Sequence, residues 1–197
     1  MPLRVTFVAA ARSAPLLAER FDDDRPLDPA GWDEVRRAAG ELVPLAAAEL
    51  RYCSPTQRSR ATGDALGYAP LAQLALRDCD MGRWHGLTLG EAMAREPAAV
   101  DAWLADPRAT PHGGESLLAF ISRVGGWLDT RPADDGARVV AVAEPSVIRA
   151  ALVYALKAPP ASYWNLDIRP LSTTTLTGRG GRWSLRFENP AVQATQL

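Results

Sequence analysis

The sequence predicts an α/β protein: a three-layer α/β/α sandwich on a mostly parallel central sheet, closed by a C-terminal β-hairpin. Three observations lead there. Residues 3–8, 49–53 and 138–143 are short apolar or β-branched runs of the kind buried in a parallel sheet. Amphipathic segments of helical length separate them, so strand and helix alternate. Near the end, residues 171–177 and 183–187 flank the glycine-rich turn Gly178-Arg179-Gly180-Gly181 and read as a hairpin.

The first strand, Leu3-Arg4-Val5-Thr6-Phe7-Val8, runs into the small turn Ala9-Ala10-Ala11-Arg12-Ser13. Open α/β sheets place their sites beyond the carboxyl ends of such strands, so residues 9–13 belong to whatever site this fold carries. Three alanines suit close backbone packing but supply no nucleophile, acid, base or ligand. The acidic run Asp22-Asp23-Asp24 reads as a solvated loop. A helix follows from Pro29 to about residue 48, with Asp28 as its N-cap and Trp32, Val35, Ala39, Leu42 and Leu45 or Ala46 at helical spacing.

The second strand, 49–53, ends at Ser54-Pro55, and a helix spans about 56–66. Residues 71–76 form a third apolar segment. Two short helices, 86–95 and 98–105, flank Pro97, and the Pro/Gly-rich stretch 106–114 is a loop. Residues 115–128 are amphipathic, with Glu115 in the first turn, where a carboxylate complements the helix dipole. The strand 138–143 leads into a helix over 146–156. The six tryptophans are expected mostly in the core, and residues 188–197 as a loose tail. With no repeat and no long linker, all 197 residues form one domain.

Composition narrows the function. Lys+Arg at 22 against Asp+Glu at 23 leaves a formal charge of −1, which excludes a global field for nucleic acid or an anionic membrane. No run reaches the roughly 20 apolar residues of a membrane span, and no signal-peptide pattern opens the chain. Two cysteines make no disulfide framework. A cytoplasmic location is the expectation.

Several stretches together resemble the histidine phosphatase superfamily, the phosphoglycerate-mutase-like fold. Cys53-Ser54-Pro55-Thr56-Gln57-Arg58-Ser59-Arg60-Ala61-Thr62 is similar to its second motif, a Ser-Pro turn followed by an arginine on a helix. Asp78-Cys79-Asp80-Met81-Gly82-Arg83-Trp84-His85-Gly86-Leu87-Thr88 resembles its acidic motif. Pro111-His112-Gly113-Gly114-Glu115-Ser116 resembles its Pro-Gly-Gly-Glu-Ser loop. Val147-Ile148-Arg149 and Gly181-Arg182-Trp183 fit the later helix and hairpin.

The resemblance implies a phosphohistidine mechanism: an imidazole after the first strand, arginines that hold the anion, a second histidine after the later strand, and a carboxylic acid for the leaving group. The first motif departs from that pattern. Ala9 stands at its arginine, Ala10 at its nucleophile, Ala11 at its glycine, and Leu16 where an asparagine often binds phosphate. Ala143-Glu144-Pro145-Ser146 puts Glu144 at the second histidine. Ser13 and Arg58 survive, with Asp78 at the acid position. The resemblance therefore implies a catalytically degenerate member, a pseudophosphatase acting as a binding or regulatory module around a remnant phosphate pocket.

No catalytic residue is intact at the family positions Ala10, Asp78 and Glu144, while Arg12, Ser13, Arg58 and Ser146 are the candidate ligand-binding residues. The alternative is a hydrolase of altered chemistry using Arg58, Asp78 and Glu144. Arg12 either enters the pocket beside Arg58 or pairs with Glu144 or Asp78. His85 and His112, and the thiols of Cys53 and Cys79, are weighed as relocated nucleophiles against ordinary structural roles. Cys53, Cys79 and His85 lack metal-ligand spacing, so neither metal nor cofactor is expected. A small phosphorylated or anionic molecule and a protein partner are the candidate ligands. The sequence sets no oligomeric state.

Overall fold

Leu3–Ala9 (β1) lies at the centre of the sheet, parallel to Arg138–Ala143 (β4) on one side and antiparallel to Thr173–Arg179 (β5) on the other. The computed structural model describes residues 2–13, 20–21, 24–131, 136–179 and 181–187. Among these, Leu50–Cys53 (β2) and Leu71–Ala72 (β3) extend the sheet beyond β4, and Arg182–Arg186 (β6) closes the hairpin on β5. The order is β3-β2-β4-β1-β5-β6, with β1 to β4 parallel and β5 and β6 antiparallel.

Both faces of the sheet are buried. Val5, Phe7 and Ala9 join Val139, Ala141 and Ala143 on one face; Val8 joins Val140 and Val142 on the other. This two-residue period divides the core into two layers. Leu117–Asp129 (α5) and Pro145–Ala155 (α6) cover the first with Phe120, Val124, Leu128 and Ile148. Pro29–Leu42 (α1) covers the second with Val35 and Leu42, beside Leu66 and Tyr68 at the end of Gln57–Ala65 (α2). Val5, Val8, Val140 and Val142 are fully buried, each worth about 1.5–3 kcal/mol relative to exposure. Leu89–Arg95 (α3) and Pro97–Ala105 (α4) form a small flanking pair.

The expected strands and the three-layer arrangement are present, and the departures have local causes. The first helix stops at Leu42 rather than near residue 48. Pro44 has no amide hydrogen to continue the helical ladder, and the chain tightens into a 3-10 turn over Val43–Ala47. Glu115 lies outside α5: Ser116 caps that helix by accepting from the Ala119 amide at 3.1 Å. The short helix expected from residue 86 starts at Leu89, where Thr88 and Glu91 form a reciprocal capping box.

The segment 71–76 is a two-residue edge strand and a 3-10 turn, with Leu71 and Leu74 exposed. Trp84, Trp103, Trp127 and Trp183 are core, whereas Trp32 and Trp164 are more than a third exposed. Leu16, Asp22, Asp23 and the tail 188–197 lie outside the described residues.

Helix α5 packs closely on α6 at Gly125, where an added Cβ would meet the Tyr154 ring at 2.2–2.4 Å. Gly125→Ala is expected to destabilise the fold by about 1–3 kcal/mol in urea denaturation. Its neighbour Gly126 has nothing within 4 Å of a Cβ, so Gly126→Ala is expected to stabilise by up to about 1 kcal/mol.

Candidate functional site

The parallel strands end together. Ala9 pairs with Ala143 and Cys53 with Val142; beyond them the Ala10 amide donates to the Ala143 carbonyl and the Ser54 amide to the Val142 carbonyl, each at 2.8 Å. Glu144 follows the last residue of β4 as the N-cap position of α6, and it continues the alternation of Val140 and Val142, so its side chain turns toward α2. It is 1% exposed.

The start of α2 supplies what a buried carboxylate needs. Thr56 is the N-cap, accepting from the Ser59 amide at 3.3 Å, and its hydroxyl donates to Glu144 Oε1 at 2.6 Å. The Ser59 hydroxyl donates to the same oxygen at 2.9 Å. Arg58 Nε donates to Oε2 at 2.5 Å, and Arg58 Nη1 donates to Ser13 Oγ at 3.0 Å. Such a pair is held by its charge-assisted bond and by the hydroxyls that satisfy the remaining lone pairs. Burial pushes the Glu144 carboxyl up from its ordinary value and nearby Asp78 adds to the shift, while Arg58 and the two hydroxyls oppose it.

Asp78 lies on the same side: Oδ1 accepts from the Ser146 hydroxyl at 2.6 Å and the Cys79 amide at 2.7 Å. Its loop is held from below by Arg123, which is bidentate to Glu115 at 2.7 and 2.9 Å and donates to the carbonyls of Ala75, Arg77 and Asp78. Asp24 closes the other edge, its carboxylate accepting from the Gln57 amide at 2.6 Å.

Ser13, Arg58, Asp78, Glu144 and Ser146 are thus brought together, and Ala10, 3% exposed, is packed beneath them. Arg12 takes neither course left open by the sequence. Its Nε lies 3.3 Å from Glu34 and 3.8 Å from Asp28, turned toward α1. His85 is exposed. His112 is 1% exposed against Trp84, and its Nδ1 accepts from the Gly114 amide at 3.0 Å. Burial is the main cause that holds its imidazole below the usual range.

Cys53 is fully buried, and burial pushes its thiol up to about 11, far from a thiolate nucleophile. Cys79 is buried beside the Glu115 carbonyl. Sequence reasoning did not assign Thr56, Ser59 or Arg123 to the site. The first two were legible in principle, since a serine or threonine on either side of Arg58 at a helix start offers hydroxyls in one direction. Arg123 lies 45 residues from Asp78 and gave no local signal.

A model of the histidine phosphatase superfamily (branch 1) matches residues 19–190. A bifunctional protein of Mycobacterium tuberculosis is 32% identical over 170 residues, covering 83% of this chain and 46% of that protein. The chain therefore spans about half the length of the first curated relatives it matches. A glucosyl-3-phosphoglycerate phosphatase of M. tuberculosis is 31% identical over 151 residues, 68% of each chain. The solved mycobacterial glucosyl-3-phosphoglycerate phosphatase in complex with VO3 superposes with a TM-score of 0.79 at 27% identity, over 94% of this chain and 98% of that one. An alpha-ribazole phosphatase from Shigella flexneri shares the fold at a TM-score of 0.78 and 16% identity, over 94% of this chain and 96% of that one.

Removing Arg58 would leave Glu144 buried and uncompensated. Arg58→Met is expected to cost about 3–5 kcal/mol near neutral pH, and Arg58→Met with Glu144→Leu much less, by denaturant titration. The single variant should also regain stability in acid. Its Glu144 pKa is raised on folding, so the carboxyl's contribution is full below the unfolded value and lost as pH rises through the folded one.

Proposed function

Because the chain belongs to the histidine phosphatase superfamily, we propose that it is a phosphatase-fold protein without phosphohistidine chemistry, acting as a binding or regulatory module around a remnant anion site. The observation that carries this reading is the Arg58–Glu144 pair. In the mechanism implied by the resemblance, an arginine at position 58 clasps the phosphoryl oxygens; here its guanidinium is engaged by the protein's own carboxylate. Ala10 at the nucleophile position has no atom that can carry a phosphoryl group. Glu144, in place of the second histidine, reverses the charge that would face the anion. At about 4 Å such a repulsion costs about 1–4 kcal/mol, between bulk water and a surface-like dielectric. The family match begins at residue 19, after β1 and its alanine turn, in keeping with divergence there.

The phosphatase activities named for the relatives mark phosphate esters as the ligand class from which this site descends, with a small anionic molecule or a protein partner as its present target. One observation favours a second reading, a hydrolase using Arg58, Asp78 and Glu144. Two carboxylates share the site in unlike surroundings, Glu144 buried and pushed up, Asp78 held by Ser146 and the Cys79 amide. Unlike environments of that kind separate a general acid from a base.

Hydrolysis of an aryl phosphate and a phosphosugar panel decides between them. The wild-type protein is expected to turn over none above the buffer rate, and phosphorus NMR of acid-quenched mixtures to show no phosphoenzyme. Turnover in the wild type that disappears in Asp78→Asn would overturn the degenerate-site reading in favour of the second.

A further inference from the structure

Of the two histidines, His85 is exposed and His112 is sealed in an aromatic cluster, its ring centroid 5.1 Å from that of Trp84 and 6.3 Å from that of Trp103. His112 Nδ1 accepts from the Gly114 amide at 3.0 Å, which assigns the ring proton to Nε2. Nε2 is buried without a hydrogen-bond partner among the described residues. The neutral imidazole thus holds its loop through a lone pair. An imidazolium donates from both nitrogens, so a proton on Nδ1 would set one N–H against another at the Gly114 amide.

That bond lies where two loops meet. The His112 carbonyl accepts from the Arg83 amide at 3.0 Å, and the Asp80 carbonyl accepts from the Glu115 amide at 2.7 Å. The backbones leave no room to slide: a Cβ on Gly82 would meet the His112 carbonyl oxygen at 2.3 Å, and one on Gly114 the Asp80 carbonyl oxygen at 2.1 Å. Arg123 carries the contact to the site, since it is bidentate to Glu115 and also donates to the Asp78 carbonyl. Residues 112–115 are therefore the support on which Asp78 rests. Burial is the largest influence on the imidazole and holds it below its usual range; Asp80 favours the imidazolium and Arg83 opposes it, both from the loop before α3. Glu96, between α3 and α4, is taken up by Arg83, and Glu115 by Arg123.

We propose that His112 is an acid-operated latch, whose protonation breaks the Nδ1 bond to Gly114, parts residues 110–116 from residues 78–84 and frees the Asp78 edge of the site. Released into water, the imidazole regains its ordinary pKa, above the one it has when folded in. The released loop therefore binds the proton more tightly, and the equilibrium moves toward it as pH falls through the ordinary histidine range. At neutral pH the latch is shut. The device uses neither Arg58 nor Glu144 and stands under either reading of the site.

NMR of the full chain tests it. Long-range proton–nitrogen spectra at ~pH 7.5 are expected to place the His112 proton on Nε2, with His85 as the exposed reference. Hydrogen-exchange protection of the Arg83, Gly114 and Glu115 amides is expected to fall at least ~tenfold between ~pH 7.5 and ~pH 5, with the midpoint of the His112 titration, while Phe7 and Ala141 in the central strands keep theirs. His112→Asn offers an oxygen to the Gly114 amide, as an Asx turn does, and does not titrate, so it is expected to keep its protection at both. A proton on Nδ1 at neutral pH, a His112 that stays neutral until the whole fold is lost, its titration without loss at the three amides, or an equal loss in His112→Asn would each overturn the proposal. All but the last need only the wild-type protein, so the test holds even where the variant fails to fold.

Discussion

A carboxylate buried at the end of a central strand must be given its donors locally or it will not stay there. An ion moved out of water costs several kcal/mol even after the protein relaxes, so Glu144 is tolerable only because α2 begins where it does. The N-cap position brings Thr56 to Oε1, the next turn brings Ser59 to the same atom, and Arg58 between them reaches Oε2. That start is fixed by the two residues after β2: the Ser54 amide is tied to Val142 of β4, and Pro55 ends the extended run before the cap. The ion pair and the sheet register therefore depend on each other. A slip of one residue in β4 would turn Glu144 into the α5–α6 layer, which is lined by Phe120, Ile148 and other apolar side chains.

The sheet and its layers were legible because they rest on local signals. Val139 to Ala143 is apolar at every position, as a strand covered on both faces must be, and Pro29 after Asp28 states its own helix start. What was not legible depended on distance. Nothing near Arg12 says whether it turns inward or toward α1; that is settled by Glu34, 22 positions away. Nothing near Glu115 says that its partner is Arg123 rather than the helix dipole. Pro44 was a readable stop that the apolar spacing of Leu42 and Leu45 concealed.

Fold and chemistry have different tolerances. The fold is spread over two apolar layers, and the alanines at 9–11 fit into them with the strand pairing intact. The chemistry that the resemblance implies rests instead on a few side chains at the strand ends. Ala10 shows the exchange: it belongs to the layer with Val8, Val35 and Tyr68, where an apolar methyl fits and an imidazole would have to be desolvated. The match of the superfamily to residues 19–190 and the superposition on a mycobacterial phosphatase follow from the first property alone.

A site built to bind phosphate carries a cost when it is empty, because cations gathered in a half-dry cleft repel one another and lose hydration. Ligand binding normally offsets that cost. A carboxylate supplied by the protein itself offsets the same cost, and Glu144, paired with Arg58, is so placed. Among the described residues, Arg12 is drawn to Asp28 and Glu34, and the Arg58 guanidinium meets Glu144.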